Sequence, residues 1–454
     1  MFRLLIAPLL LLAVAACAPV APAETATRAE IADSTLPPMK AFNRAQPQMQ
    51  AVSNKDLVRD FIDLSFQLES GRTLPIFTRF REPIKVRVTG AAPASLNRDL
   101  AQLLLRLQRE ADIDIRQVGS GKPANITIQA VSRSDIRKAL PQAACFVVPN
   151  VSSLSEFKSA RRTSKTSWTQ LKIREKLAIF VPADAAPQEI RDCLHEELAQ
   201  AIGPLNDLYR LPNSVFNDDN VHAVLTGYDM LMLRAYYAPE LQMGMTRADV
   251  EAALPAVFAR LNPQGEALAP RYATKTPKGY VDAIQTALGP GASASARLNA
   301  ANTALAIAVE AGWTDHRRAF AHYAKGRLMQ TSDPRGAFAN FQAADQFYAQ
   351  TPGTDLHRTY VATHLAAHAI YRGAGQQALS TLDGKTTHAV AGENAALLST
   401  VMLLQAEALE ISGNADQARS VRLDSLGWAR YGFGPDWAVR AKIHEIRALS
   451  PANG

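Results

Sequence analysis

Residues 187–206 read PQEIRDCLHEELAQAIGPLN. Proline at the head of such a run presets φ for a helix and forfeits only an N–H that the first turn leaves unpaired anyway. Gly203 followed by Pro204 closes the run. The spacing predicts a helix from Pro187 to Gly203.

The text upstream alternates two periods. In residues 54–70, Leu57, Phe61, Leu64, Phe66 and Leu68 recur at helical spacing, with Asn54 as the cap and Gly71 as the stop. In 83–90, Ile84, Val86 and Val88 alternate with polar residues, which is strand period. Ser95 caps an amphipathic helix that runs to Ala111. Residues 113–118 and 125–131 read as two strands joined by a Gly-rich turn, and 144–149 and 177–182 as further strands around a basic loop. Helices and strands interleaved in this way predict an α+β domain over 54–255, a mixed sheet backed by helices.

From about residue 280 alanine rises and strand signals vanish. GRLMQTSDPRGAFANF (326–341), AHAIYRGAGQQALSTL (367–382) and AEALEISGNADQARSV (406–421) align as helix, short turn, helix. Ala337, Ala378 and Ala418 then fall about 40 residues apart, a spacing of stacked helical hairpins. The units resemble tetratricopeptide repeats, most closely at GNADQAR, with a longer period and irregular aromatic positions. An all-α repeat domain is expected over 280–450, a non-repetitive bundle being the alternative. Residues 422–440 depart from the repeat and read as an end cap or a small contact surface.

The N-terminus carries Arg3, an apolar run from Leu4 to Ala16, and Ala15-Ala16-Cys17. The run is far shorter than the roughly 20 residues of a membrane-spanning helix. It has the parts of a secretory signal over 1–16. Cysteine after Ala-Ala resembles the bacterial lipobox, which implies a chain cut before Cys17 and lipidated on it. Ala18 and Pro19 lack the aspartate associated with inner-membrane retention, so the expected location is the outer membrane, facing the periplasm. Residues 17–53, rich in Ala, Pro, Thr and Gln, read as a flexible tether.

Hydrophobic residues make up 47% and charged residues 20% of the 454, which excludes wholesale disorder. The net charge is +7 and the isoelectric point about 9.3. The positive residues are dispersed apart from Lys158, Arg161, Arg162, Lys165, Lys172, Arg174 and Lys176, which read as a solvated loop. No nucleic-acid partner is expected. Cys145 and Cys193 remain after Cys17, and in an exported, oxidising compartment they are expected to be disulfide-bonded, against the alternative of two buried thiols.

The helix at 187–203 also carries a chemical pattern. Set from Glu196, its spacing resembles the metzincin motif H-E-x-x-H-x-x-G-x-x-H/D. Glu196, Gln200 and Asn206 stand at the ligand positions, Glu197 at the general base and Gly203 on the glycine. Ser214-Val215-Phe216 stands where that family has its methionine turn. The stretch from about 54 to 250 resembles an uncharacterised family of bacterial exported proteins, the domain-of-unknown-function family 2927. The residues that carry this are Cys193 to Asp207, the SVFND turn, DMLMLRAYY and PELQMGM. That resemblance implies no activity. One carboxylate and two amide oxygens make a poor zinc set. The expectation is therefore a degenerate metzincin-like core with no metal, no cofactor and no confident catalytic residue. Glu196, Glu197, Gln200 and Asn206 would line a pseudo-active-site cleft. A divergent hydrolase with Glu197 as base is the alternative. His195, off the Glu196 face, reads as an ordinary surface or interface histidine, and Asn217-Asp218-Asp219-Asn220 as a solvated turn, with His222 a remote ligand candidate. The whole describes a non-catalytic scaffold that binds an envelope protein or peptide through its helical repeats and the membrane through its lipid.

Overall fold

The computed structural model describes residues 34–42, 51–271 and 273–450. Signal, lipidation site and most of the tether lie outside them. Residues 36–42, which composition assigns to the tether, are laid against the last hairpin of the chain.

The first part runs α1 (Asn54–Ser65), β1 (Ile84–Gly90), α2 (Ala94–Ala111), β2 (Ile115–Gln117), β3 (Ile126–Val131), α3 (Arg133–Ala139), β4 (Phe146–Pro149), α4 (Leu154–Ala160), β5 (Leu177–Pro182), α5 (Pro187–Ile202), α6 (Gly227–Tyr236) and α7 (Arg247–Leu261). The five strands lie in the order β2-β1-β3-β5-β4, all parallel except β4, which runs antiparallel to β5 at the edge. All six residues of β5 are buried, as a strand covered on both faces requires. Its side chains alternate between two cores. Leu177, Ile179 and Val181 join the large core with α1, α2, α5, α6 and α7. Ala178 and Phe180 join the small one, where Phe146 and Phe157 close on Phe180 beneath α3 and α4.

Three boundaries differ from the sequence reading. The first helix is capped by Ser53, whose hydroxyl accepts from Lys55 N, so Asn54 lies inside it. The first helix stops at Ser65 rather than near Gly71, because the chain turns back to pair Gln67 with Thr73, and Gly71 serves that turn at φ +80°. The second begins at Ala94, with Pro93 rather than Ser95 at its cap position, so Ser95 lies inside the helix.

The second part is all helical: α8 (Lys278–Leu288), α9 (Ala294–Glu310), α10 (His316–Met329), α11 (Pro334–Ala349), α12 (Asp355–Tyr371), α13 (Gly375–Leu382), α14 (Lys385–Ala391), α15 (Ala395–Ile411), α16 (Ala415–Phe433) and α17 (Asp436–Arg447). The three aligned segments form the hairpins α10–α11, α12–α13 and α15–α16. Ala337, Ala378 and Ala418 are buried at the helix contacts. Gly326 is needed at the first of these, since a Cβ there would come within 2.9 Å of the Phe341 ring. The short helix α14 breaks the strict repeat. Among the described residues no helix is long and apolar enough to cross a membrane.

Candidate functional site

Helix α5 follows β5 after a four-residue turn, and its ends are held by different parts of the molecule. Cys193, on its second turn, is bonded to Cys145 at the foot of β4, with Cα atoms 6.0 Å apart. The expected disulfide is present and fixes the helix to the edge strand. At its C-terminal end the unpaired carbonyls meet Arg174. That guanidinium donates to Gln200 O at 3.0 Å, Ala201 O at 2.9 Å and Gly203 O at 2.7 Å, and to Tyr236 Oη at 3.2 Å. Tyr237 Oη donates to Ile202 O at 2.9 Å. A cation at this end also opposes the negative pole of the helix.

Arg174 corrects the reading of the basic loop. It is 2% exposed. Lys165 and Lys176 are not free either: both pair with Glu156, at 2.7 and 3.1 Å, and Lys165 foremost holds the Glu156 carboxyl down at about 2.

The face of α5 that bears Glu196 and Glu197 looks into a nest of carboxyls from other elements. Burial, then Glu69 and Asp218, pushes Glu196 up to about 7. Burial, then Glu196 and Glu69, raises Glu197 well above the carboxylate range. Asp207 is raised in the same way, by burial first and then by the charge of Glu69. Asp218 is raised by burial while accepting from Tyr209 Oη at 3.1 Å and Gln285 Nε2 at 3.3 Å. Glu197 is buried, Glu196, Asp207 and Asp218 are half-buried and Glu69 is exposed at the edge of the nest, so partial desolvation and mutual repulsion together disfavour each ionisation. The meeting of Glu69 with Asp207 and Asp218 escapes a sequence reading, since Glu69 comes from the loop after α1 and the two aspartates from the α5–α6 connection, at no helical spacing.

Gln200 and Asn206 are both buried. Asn206 Nδ2 donates to Asp63 O of α1 at 2.9 Å, and Gln200 Nε2 has no partner. Among the described residues no three His, Cys, Asp or Glu side chains are arranged to hold a metal ion. The turn at Ser214-Val215-Phe216 is tied down by α6. Ser214 Oγ donates to Asp229 Oδ1 at 2.5 Å, Val215 N to Asp229 Oδ2 at 3.2 Å, and the Phe216 ring is fully buried.

His195 is not a surface residue. It is 2% exposed, and its Nδ1 accepts from Leu225 N at 3.1 Å, which fixes the segment entering α6. Nor is 217–220 a solvated turn. Asn217 Nδ2 donates to Leu211 O at 2.7 Å, Val221 N to Asp219 Oδ1 at 3.0 Å, and His357 of α12 bonds Asp219 Oδ2 at 2.8 Å. His222 is occupied against Pro212 O at 3.2 Å and lies edge-on to His357.

These last bonds belong to a polar seam between the two parts. Arg191 of α5 pairs with Glu393, both buried. Gln188 Nε2 donates to Asn394 Oδ1 at 2.9 Å, His316 Nε2 bonds Tyr209 O at 2.7 Å, and Tyr431 Oη donates to Asp99 Oδ2 at 2.7 Å. Where the seam opens beside the nest lies a cleft of about 1150 Å³. Glu69, Tyr209 and Asp218 line one wall, and Gln285, Phe320 and Arg327 the other.

Residues 54–256 match the model of a family described as Protein of unknown function (DUF2927). No curated protein and no solved structure matches the chain.

Proposed function

We propose that this chain, whose residues 54–256 belong to the DUF2927 family, is an envelope lipoprotein that binds a peptide or protein segment and does not cleave it. One observation carries the reading. Glu197, at the position of the general base in the metzincin spacing, is a buried carboxyl that burial and the neighbouring Glu196 and Glu69 raise well above the ordinary range, which disfavours the ionised form a base requires. Glu196, the one carboxylate at a ligand position, is itself pushed up to about 7. Gln200 and Asn206 contribute neutral amides, and the Nδ2 of Asn206 donates to Asp63 O. The metzincin-like scaffold would then survive as a shape. The cleft beside it, bounded by both parts of the chain and lined by Glu69, Tyr209 and Asp218 rather than by Glu196, Glu197, Gln200 or Asn206, suits a segment held by hydrogen bonds to polar side chains. The helical hairpins would widen the binding surface, with Tyr371 and Trp437, 69% and 73% exposed, as its apolar points. Lipidation at Cys17 would hold the protein at the outer membrane, facing the periplasm.

The test is metal analysis of the purified mature chain, together with a peptide-hydrolysis screen on the wild type and Glu197→Gln. The reading expects substoichiometric zinc, no cleavage, and retained capture of envelope partners by the variant. One tightly held zinc per chain, with cleavage abolished by Glu197→Gln, would replace it with the hydrolase reading. The anchor is tested apart: Cys17→Ser should leave the chain unprocessed or free of membranes, and absence of fatty-acid labelling on the wild type would remove that part.

A further inference from the structure

Residues 36–42, LPPMKAF, lie along α16 in an ordered set of contacts. Lys40 N donates to Gly427 O at 3.0 Å, and Arg430 Nη1 donates to Pro37 O at 2.9 Å. The Lys40 ammonium pairs with Asp424 and stands 5.5 Å from the centroid of the Trp428 ring. Phe42 stacks on Trp428 with centroids 4.7 Å apart, under the guanidinium of Arg191, and is 8% exposed. Gln102 Nε2 of α2 reaches Phe42 O at 3.4 Å.

The helix is shaped for this. Gly427 lies in its interior, where glycine costs about 1 kcal/mol relative to alanine. A Cβ there would meet Lys40 Cγ at 2.7 Å and Pro38 O at 3.0 Å. The backbone of an extended chain therefore occupies the space that any other residue would fill. Pro37 and Pro38 favour that extended form and have no N–H to leave unpaired.

We propose that this face of α16 is a peptide seat. It takes an extended, proline-led segment of a partner protein that carries a lysine two residues before an aromatic, and residues 36–42 are its intramolecular occupant. The polar contacts are weak enough for a competitor to displace. The Lys40–Asp424 pair is 39% and 56% exposed, and pairs of that kind contribute under about 1 kcal/mol. Attachment through the same chain supplies an effective concentration on the order of millimolar, which keeps the seat filled without tight binding. Beside the strap an open groove of about 540 Å³ remains, lined by Met39, Ser420, Leu423 and Asp424. Leu423 is 57% exposed there, so a partner that runs further along α16 covers apolar surface the strap leaves in water. Neither Glu196 nor the cleft takes part, so this seat and the cleft reading stand or fall separately.

The test uses the full mature chain. Lys40→Glu with Phe42→Ala frees the seat, and the probe is a fluorescent peptide STLPPMKAFNR, the sequence of residues 34–44. The peptide should bind the freed chain about tenfold or more tighter than the wild type, whose strap competes at roughly millimolar effective concentration. Adding Asp424→Lys, an exposed change that leaves the core untouched, should weaken binding, and a peptide with aspartate in place of its lysine should restore it. Overturning results are no binding to the freed chain at about 1 mM peptide, on the scale of the effective concentration, or equal binding with and without Asp424→Lys. A concentration-dependent dimer of the wild type that Phe42→Ala abolishes would assign the seat to the strap of a second copy and overturn the partner assignment.

Discussion

The carboxyl nest beneath α5 and the histidine-lined seam beside it solve one problem in opposite senses. Both shift acids or histidines toward the neutral form, while the seam also holds Arg191 and Glu393 as a buried ion pair. In the nest, burial lifts Glu196 to about 7 and Asp229, under the neighbouring turn, to about 6. In the seam, burial lowers His222 and His316 to about 4. The charged form is disfavoured in each case, but for an acid that form has lost a proton and for histidine it has gained one. A carboxyl shifted toward its protonated form gains a donor. A seam of neutral histidines offers one donor and one acceptor per ring to backbone groups, as His316 does at Tyr209 O.

The largest expected effect falls on the seam. Arg191→Leu strands the buried Glu393 carboxylate and should cost about 3–5 kcal/mol, read as a shift in urea midpoint. Arg191→Leu with Glu393→Leu should recover most of it. Equal losses in the single and double variants would mean that the pair contributes nothing to docking.

The second acts on the nest. Cys145→Ser with Cys193→Ser frees α5 from β4 and should cost about 4 kcal/mol, less any native strain, by the chain-entropy estimate for a loop of this length. Equilibrium unfolding checks it, and an unchanged midpoint would show that Arg174 alone suffices to seat the helix.

The third tests the contrast directly, by pH. The folded value of His316 lies below its free value of 6.5. Its stabilising contribution is therefore complete above 6.5 and is lost as pH falls towards about 4, where the unfolded chain takes up protons that the native one refuses. The folded value of Glu196 lies above its free value of 4.5. Its contribution is complete below 4.5 and is lost as pH rises towards about 7. His316→Gln should thus flatten the acid side of the stability profile and Glu196→Gln the neutral side, each by up to about 3 kcal/mol. Unfolding measured from pH 4 to 8 decides it, and identical profiles for the two variants would erase the distinction.

The smallest concerns Glu197. A protonated carboxyl and a carboxamide are close in shape and both neutral, so Glu197→Gln should change stability at neutral pH by less than about 1 kcal/mol. A loss of several kcal/mol would show that the residue is ionised in the fold.

What could be read without coordinates was whatever local chemistry decides. Pro187 and Gly203–Pro204 bounded α5, the alternation of Ile84, Val86 and Val88 marked β1, and the recurrence of Ala337, Ala378 and Ala418 marked the hairpins, because helix ends, strand period and close helix contact each act over a few residues. The Cys145–Cys193 bond followed from two thiols in an expected oxidising setting. What only the tertiary structure decided was which polar groups lose their water. Arg174 has the same neighbours in sequence as the lysines of its loop, and becomes a helix cap only because the end of α5 arrives above it. His195 and Asp219 are buried because α6 and α12 close over them, and Glu69 meets Glu196 only because the turn after α1 lies against α5. Charge state and hydrogen-bond role depend on desolvation by elements distant in sequence, and no local spacing encodes that.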